Sequence, residues 1–272
     1  MKKILLMSLL CVTFIRIQAQ SKPSPYKWKW SRDGLWTGLA LGGSTYGLIL
    51  IQNKKGISNS ELQSLNKDDI FFGDRWVAGN YSKNADKISY IPFYAAFGAP
   101  FILFLDDGVN DHAGQVAGMY IESLATTAAV FSITAGLVNR SRPYVYNEDL
   151  PNETRTRSSG QRSFFSGHVA ATATATFFAA KVYSDFNPDS PAKPYLWVGA
   201  ATIPAVVGYY RMKAGQHFLS DVLLGYSLGA AVGYFIPELH KIKNDTGISF
   251  YPSGGVDQFG KTYNGLTLGY TF

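Results

Sequence analysis

The chain has 272 residues, 46% of them hydrophobic and only 16% charged, with a formal net charge of +6. The charge is too small, and too little gathered into basic stripes, to point to nucleic acid, so no nucleic-acid partner is expected. A mean hydropathy of -0.02 is low for a chain embedded wholly in lipid, and the length admits one large domain or two small ones.

In chain order, residues 1–20 read as a secretory signal peptide. Lys2 and Lys3 are the basic start, an apolar run fills 4–15, and Ala19-Gln20 ends in a small-residue pattern. That run is shorter than the ~20 residues of a bilayer crossing, and an uncleaved anchor is the alternative reading. The single cysteine, Cys11, lies inside this segment, so a processed chain would hold no disulfide. A linker over 21–33 precedes a helical domain over 34–243. Within that domain six long apolar segments, at 35–51, 88–105, 116–138, 169–183, 195–210 and 222–236, are separated by polar or Gly/Pro-rich links. They predict an all-α fold with a six-helix bundle core. The fourth segment is rich in small residues (Ala170-Ala171-Thr172-Ala173-Thr174-Ala175), which places it in the middle of the bundle. The tail, 244–272, alternates apolar and polar residues around a Gly-rich middle and predicts a short β-hairpin.

With a cleaved signal the mature chain starts outside the cell. Six crossings would then put the 3–4 and 5–6 links inside, at odds with chemistry on the outer side. Pro92, Pro100 and Glu122 also interrupt the apolar segments, and intramembrane acids are costly. The balance favours a compact exported bundle, associated with the membrane surface, over six full spans.

Three blocks fall at helix ends. Arg140-Ser141-Arg142-Pro143 follows the third segment, Ser166-Gly167-His168 opens the fourth, and Arg211, His217 and Asp221 bridge the fifth and sixth. In an up-and-down bundle these links share one end, so the blocks converge. The residue types suit phosphoryl transfer, where negative charge spreads over the equatorial oxygens and the protein positions it with cationic donors. Arg142 and Arg211 supply planar forks. Ser166 and Gly167 offer backbone N–H groups at a helix start, and Ser166 can cap that helix. His217 and Asp221, four apart, share a face if the sixth helix starts at or before His217. The carboxylate would then hold one ring nitrogen as N–H and free the other as a nucleophile, with His168 placed to protonate the leaving oxygen. A metal site is the competing reading of the two histidines and Asp221. It lacks a close ligand cluster and sits beside arginines, so neither metal nor cofactor is expected.

These blocks resemble the type 2 phosphatidic acid phosphatase superfamily, which includes the vanadium haloperoxidases. The signature Lys-x6-Arg-Pro, Pro-Ser-Gly-His and Ser-Arg-x5-His-x3-Asp is met here by Arg142-Pro143, by Ser166-Gly167-His168, and by Arg211, His217 and Asp221 with spacing intact. The resemblance implies a six-helix core and phosphate binding by Arg142 and Arg211. It makes His168 the acid and His217 the nucleophile, with Asp221 orienting His217. Three positions depart from it: Ala135 stands at the lysine position, Phe165 before Ser166, and Tyr210 before Arg211. The loss at Ala135 removes one phosphate cation, for which Arg140 or Lys213 could compensate.

The function so implied is hydrolysis of lipid phosphate monoesters or diphosphates at the cell envelope, through a phosphohistidine, on the side away from the cytoplasm. The alternatives are a nonspecific soluble periplasmic acid phosphatase, a haloperoxidase, and a non-catalytic envelope scaffold.

Overall fold

The computed structural model describes residues 23–242, 248–256 and 261–270. The predicted signal peptide, with Cys11, and the terminal aromatic Phe272 lie outside the described residues. Six long helices carry the fold: α1 (Leu35–Gln52), α2 (Lys83–Ile102), α3 (Ala113–Leu137), α4 (Gly167–Phe186), α5 (Lys193–Lys213) and α6 (Leu219–His240). Each overlaps one predicted apolar segment. The tail forms β1 (Ile248–Val256) and β2 (Thr262–Tyr270), paired antiparallel from Ile248 opposite Tyr270 to Val256 opposite Thr262. The all-α core with a short hairpin is thus the observed fold.

Helix direction alternates. α1, α3 and α5 run towards one end of the bundle, and α2, α4 and α6 run away from it. The pairing of α1 with α3 is parallel and close. A Cβ on Gly47 would lie 2.2 Å from Ser132 Oγ, and one on Gly136 would lie 2.4 Å from Leu50 Cβ. The connections 53–82, 138–166 and 214–218 therefore gather at a single end, which is the end that holds the sequence blocks. At the other end the chain beside Tyr26 bridges antiparallel to Lys241.

α4 is the central helix, as its small residues predict. Val169, Ala170, Thr172, Ala173, Thr174 and Ala175 are all fully buried. α6 meets it through glycines one turn apart: a Cβ on Gly225, Gly229 or Gly233 would sit 2.5, 2.1 or 2.5 Å from the carbonyl oxygens of Ser166, Ala170 and Thr174. Small residues on facing helices let the backbones touch, and this contact fixes the height of Asp221 against Ser166.

Among the described residues four stretches, Trp30–Gln52, Lys83–Leu105, Ala113–Leu137 and Leu219–His240, are long and apolar enough to cross a membrane, with mean hydropathies of 1.3 to 1.7. Within the 18-residue apolar window of each, only 11 to 44% of the residues are buried. Leu39, Leu48, Ile49, Ile91, Phe101, Ile102, Leu223 and Phe235 all point outward. An apolar outer face of this extent suits lipid better than water. The residues that had argued against crossing do not interrupt the fold. α2 runs through Pro92 and Pro100, and Glu122 faces inward, 4% exposed, towards His240.

Candidate active site

The site is assembled by the three links at one end. The 138–166 link folds back on itself: Arg142 N–H donates to Gly160 O (2.7 Å), and Ser163 N–H donates to Arg140 O (3.1 Å). The 214–218 link turns at Gly215, whose φ of +74° falls in the left-handed region where a side chain is strained. A Cβ there would also lie 1.9 Å from Asn80 O. Gly215 O accepts from Tyr144 N–H (3.0 Å), which joins the two links.

His217 is 2% exposed, and its Nδ1 lies 2.7 Å from the carbonyl oxygen of Ser163. A carbonyl only accepts, so Nδ1 carries the proton and Nε2 keeps its lone pair. Burial first, and then the positive charges of Arg142 and Arg211, hold the ring's pKa well below the usual histidine value. The ring is therefore held in its neutral form, with a free Nε2. His168, the second residue of α4, is packed between aromatic rings of α2, with Phe93 at 4.4 Å and Tyr90 edge-on at 5.0 Å. Burial and the same two arginines push its pKa down to about 3.

Asp221 departs from its predicted place. α6 begins at Leu219, so His217 precedes the helix and shares no face with Asp221. The carboxylate instead accepts from Ser163 Oγ (2.6 Å), from Phe218 N–H (2.9 Å) and from Arg140 Nη1, while its backbone carbonyl accepts from Ser166 N–H (3.0 Å). It reaches His217 indirectly, by fixing Ser163, whose carbonyl holds the ring.

Arg140 also departs from expectation. Its guanidinium is tied to Asp221 and to Asp74 (2.8 Å), stacks over Phe218 at 4.9 Å and donates to Ser220 Oγ (3.0 Å). With two carboxylates on it, Arg140 is a structural cation rather than one offered to phosphate. Lys213 is exposed. Ser166 is the N-cap residue of α4, yet its side chain makes no capping bond, and its buried Oγ has no partner. The first bond of α4 runs from Ala170 N–H to Ser166 O (3.0 Å), so the N–H groups of Gly167, His168 and Val169 precede it and lack helical acceptors. Gly167 is required by packing, since a Cβ would meet the Phe131 ring at 2.6 Å.

Arg142 donates to Gln216 Oε1 and weakly to Arg162 O (3.4 Å). Arg211 is 3% exposed, pairs with Asp86 of α2 (2.6 Å) and keeps a buried Nε without a partner. Burial, followed by the nearby Arg211 charge, lowers the pKa of Arg142 to about 10.

Several residues at this end went unnoticed in the sequence. Asp74, Asp86, Ser163 and Arg162 belong to no motif block. The most telling is Lys54, just past α1. Its Nζ donates to Ala135 O (2.7 Å) and Val138 O (2.5 Å), so an ammonium from another helix lies against the position where the family signature has its lysine. Burial, then the charges of Arg162 and Arg142, brings its pKa down to about 8. Among the described residues, Lys54, Arg142 and Arg162 have no carboxylate within salt-bridge distance. The parallel α1–α3 contact would have been needed to see this, and no periodicity in the sequence announces it.

The chain is 27% identical over 81 residues to a lipid A 4'-phosphatase of Porphyromonas gingivalis, a match covering 30% of this chain and 31% of that protein's length. It is also similar to the crystal structure of a transmembrane PAP2-type phosphatidylglycerolphosphate phosphatase from Bacillus subtilis. That likeness has a TM-score of 0.46 and 20% identity, over 74% of this chain and 94% of the other. Residues 117–245, a stretch that holds every predicted site residue from Arg140 to Asp221, match the family model described as the PAP2 superfamily.

Proposed function

We propose that the chain is a membrane phosphatase that hydrolyses a lipid phosphate through a phosphohistidine on His217, with its active end on the outer side of the cytoplasmic boundary. The observation that carries this is the fixed tautomer of His217: Nδ1–H on the Ser163 carbonyl leaves Nε2 as a lone pair, beside two arginines whose charges it feels.

In the first step Nε2 attacks phosphorus, the bond from phosphorus to the leaving oxygen breaks, and His168 gives that oxygen a proton. A His168 pKa of about 3 in the free site means that the proton arrives with the substrate. A bound phosphate offsets the charges of Arg142 and Arg211 and restores the ring's proton affinity. In the second step neutral His168 takes a proton from water, the hydroxide attacks the phosphohistidine, and phosphate leaves His217 in its starting form. Arg142, Arg211 and Lys54 bind the phosphate oxygens, with Ser166 Oγ and the N–H groups at the start of α4 completing the cradle. Arg140 and Asp221 hold the links in place.

A lipid substrate is favoured by the apolar outer faces of α1, α2, α3 and α6 and by the partial match to a lipid A 4'-phosphatase. The test is rapid acid-free quenching of the detergent-solubilised protein during turnover of a radiolabelled lipid phosphate. A base-stable, acid-labile protein phosphate should form, and His217→Gln should lose it. Release of phosphate with no such adduct would refute the covalent route. Equal turnover of soluble and lipid esters would favour a nonspecific acid phosphatase instead.

A further inference from the structure

We infer that Asp33, Glu122 and His240 form a binding site for one divalent transition-metal ion, zinc by the chemistry of its donors, at the end of the bundle opposite His217. The three residues come from the turn before α1, from α3 and from the last position of α6, and they are 2, 4 and 3% exposed. One ligand atom from each lies within 4.8 Å of the others. No part of the phosphatase reading enters this inference.

The protonation pattern is the first reason. His240 Nδ1 lies 2.8 Å from Ile236 O, an acceptor, so Nδ1 bears a proton. Nε2 then faces Asp33 Oδ2 at 3.3 Å and Glu122 Oε2 at 3.3 Å. Among the described residues, neither His240 Nε2 nor Glu122 Oε2 makes a hydrogen bond. Asp33 Oδ2 does accept from Lys29 N–H, but two buried lone-pair atoms turned towards each other and towards that carboxylate are costly unless a cation lies among them.

That cation is either a second ring proton or a metal ion, and the geometry favours the metal. A proton on Nε2 would line up with one carboxylate at hydrogen-bond angle, and no such bond is made. Two 3.3 Å edges meeting at Nε2 are instead the ligand spacing of a tetrahedral ion, since bonds of about 2.0–2.1 Å put ligand atoms about 3.3–3.4 Å apart. Of the two carboxylates, Asp33 shares its charge with Arg32, whose side chain is 53% exposed, and Glu122 offers the other to a divalent ion. The outer contacts also have the form that supports a metal-bound histidine: a backbone carbonyl on the far nitrogen, and the Trp28 ring stacked on the imidazole at 5.4 Å. Asp33 is steadied by Lys29 N–H (2.6 Å) and by Arg32. A cavity of about 570 Å³, lined in part by Leu35, Leu39 and Ile236, adjoins the three residues and leaves room for a water as fourth ligand.

The test is metal content of the full chain, purified in detergent, equilibrated with micromolar zinc and desalted. About one zinc per chain is expected for the wild type and for His217→Ala, with loss of most of it in Glu122→Gln and His240→Gln. Cobalt loaded in place of zinc should give visible absorption bands that Glu122→Gln abolishes. If either variant fails to fold, zinc stoichiometry and the cobalt spectrum of the wild type decide the matter alone. A folded wild type that takes up neither ion overturns the inference and leaves a doubly protonated His240 as the bridging cation.

Discussion

The two ends of the bundle treat buried charge in opposite ways. At the candidate catalytic end Lys54, Arg142 and Arg162 have no carboxylate partners among the described residues, while Arg140 next to them is bound to both Asp74 and Asp221. At the far end two carboxylates and a histidine face one another. Desolvated charge is costly unless something answers it. Arg140, which has its answer within the protein, belongs to the scaffold. On the proposed reading the cations that lack one take the phosphate, together with Arg211, which has a single carboxylate on it, and the far cluster takes a cation. Sequence motifs alone put Arg140 and Arg142 in the same class, and the pattern of partners separates them.

Replacing His217 with Ala should have the largest effect, a loss of turnover of about 10⁴-fold or more, read as phosphate release with the fold checked by circular dichroism. Activity near that of the wild type would remove the nucleophile from the catalytic end.

The contrast between the arginines comes next. Arg140→Met strands Asp74 and Asp221, which are 1 and 0% exposed, and should cost about 3 kcal/mol or more of stability, visible as a lowered Tm. Arg142→Met should leave Tm unchanged or higher, because it relieves repulsion among cations, while cutting kcat/KM about a hundredfold. Matching effects of the two substitutions on Tm would erase the distinction drawn here.

Lys54→Met should reduce kcat/KM by about tenfold, the worth of one charge-assisted hydrogen bond, mainly through KM. Its pKa of about 8 gives the sign of the pH effect. The ammonium is charged below that value and lost above it, so the wild-type kcat/KM should fall as pH rises through about 8. Bound phosphate, which favours the charged form, moves the fall to higher pH in kcat. Lys54→Arg should carry the activity further into alkaline solution, and Lys54→Met should flatten this limb. An unchanged alkaline profile in both variants would leave Lys54 as a helix-end cap only.

The smallest effect is expected from a chelator. EDTA should leave turnover intact, because the proposed catalytic groups are all side chains and backbone N–H groups, and it should lower Tm by stripping the distal ion. A chelator that abolishes turnover at unchanged Tm would place a metal at the wrong end.

Much of the architecture was legible because it is periodic. Six apolar segments became six helices, the small-residue run became the central one, and the alternating tail became a hairpin. The blocks around Arg142, His168 and His217 were legible because chemistry constrains spacing within a link. What escaped depends on contacts between distant parts of the chain. Asp74 and Asp86 sit in or beside the 53–82 connection with no pattern to mark them, and Lys54 acquires its place only when α1 packs parallel to α3. The role of Asp221 was misread for a local reason: a spacing of four means a shared face only inside a helix, and α6 starts two residues too late. The proline and glutamate positions likewise read as breaks in the apolar segments until their contacts were known.

The alternation of helix direction has a consequence for labelling and display. Three helices bring the chain to the catalytic end and three take it back, so the chain enters near Tyr26 and leaves near Lys241, side by side. In a lipid bilayer crossed by these helices, labels placed on Tyr26 and on Lys241 would share one face, and labels on the links around Arg142 and His217 would share the other.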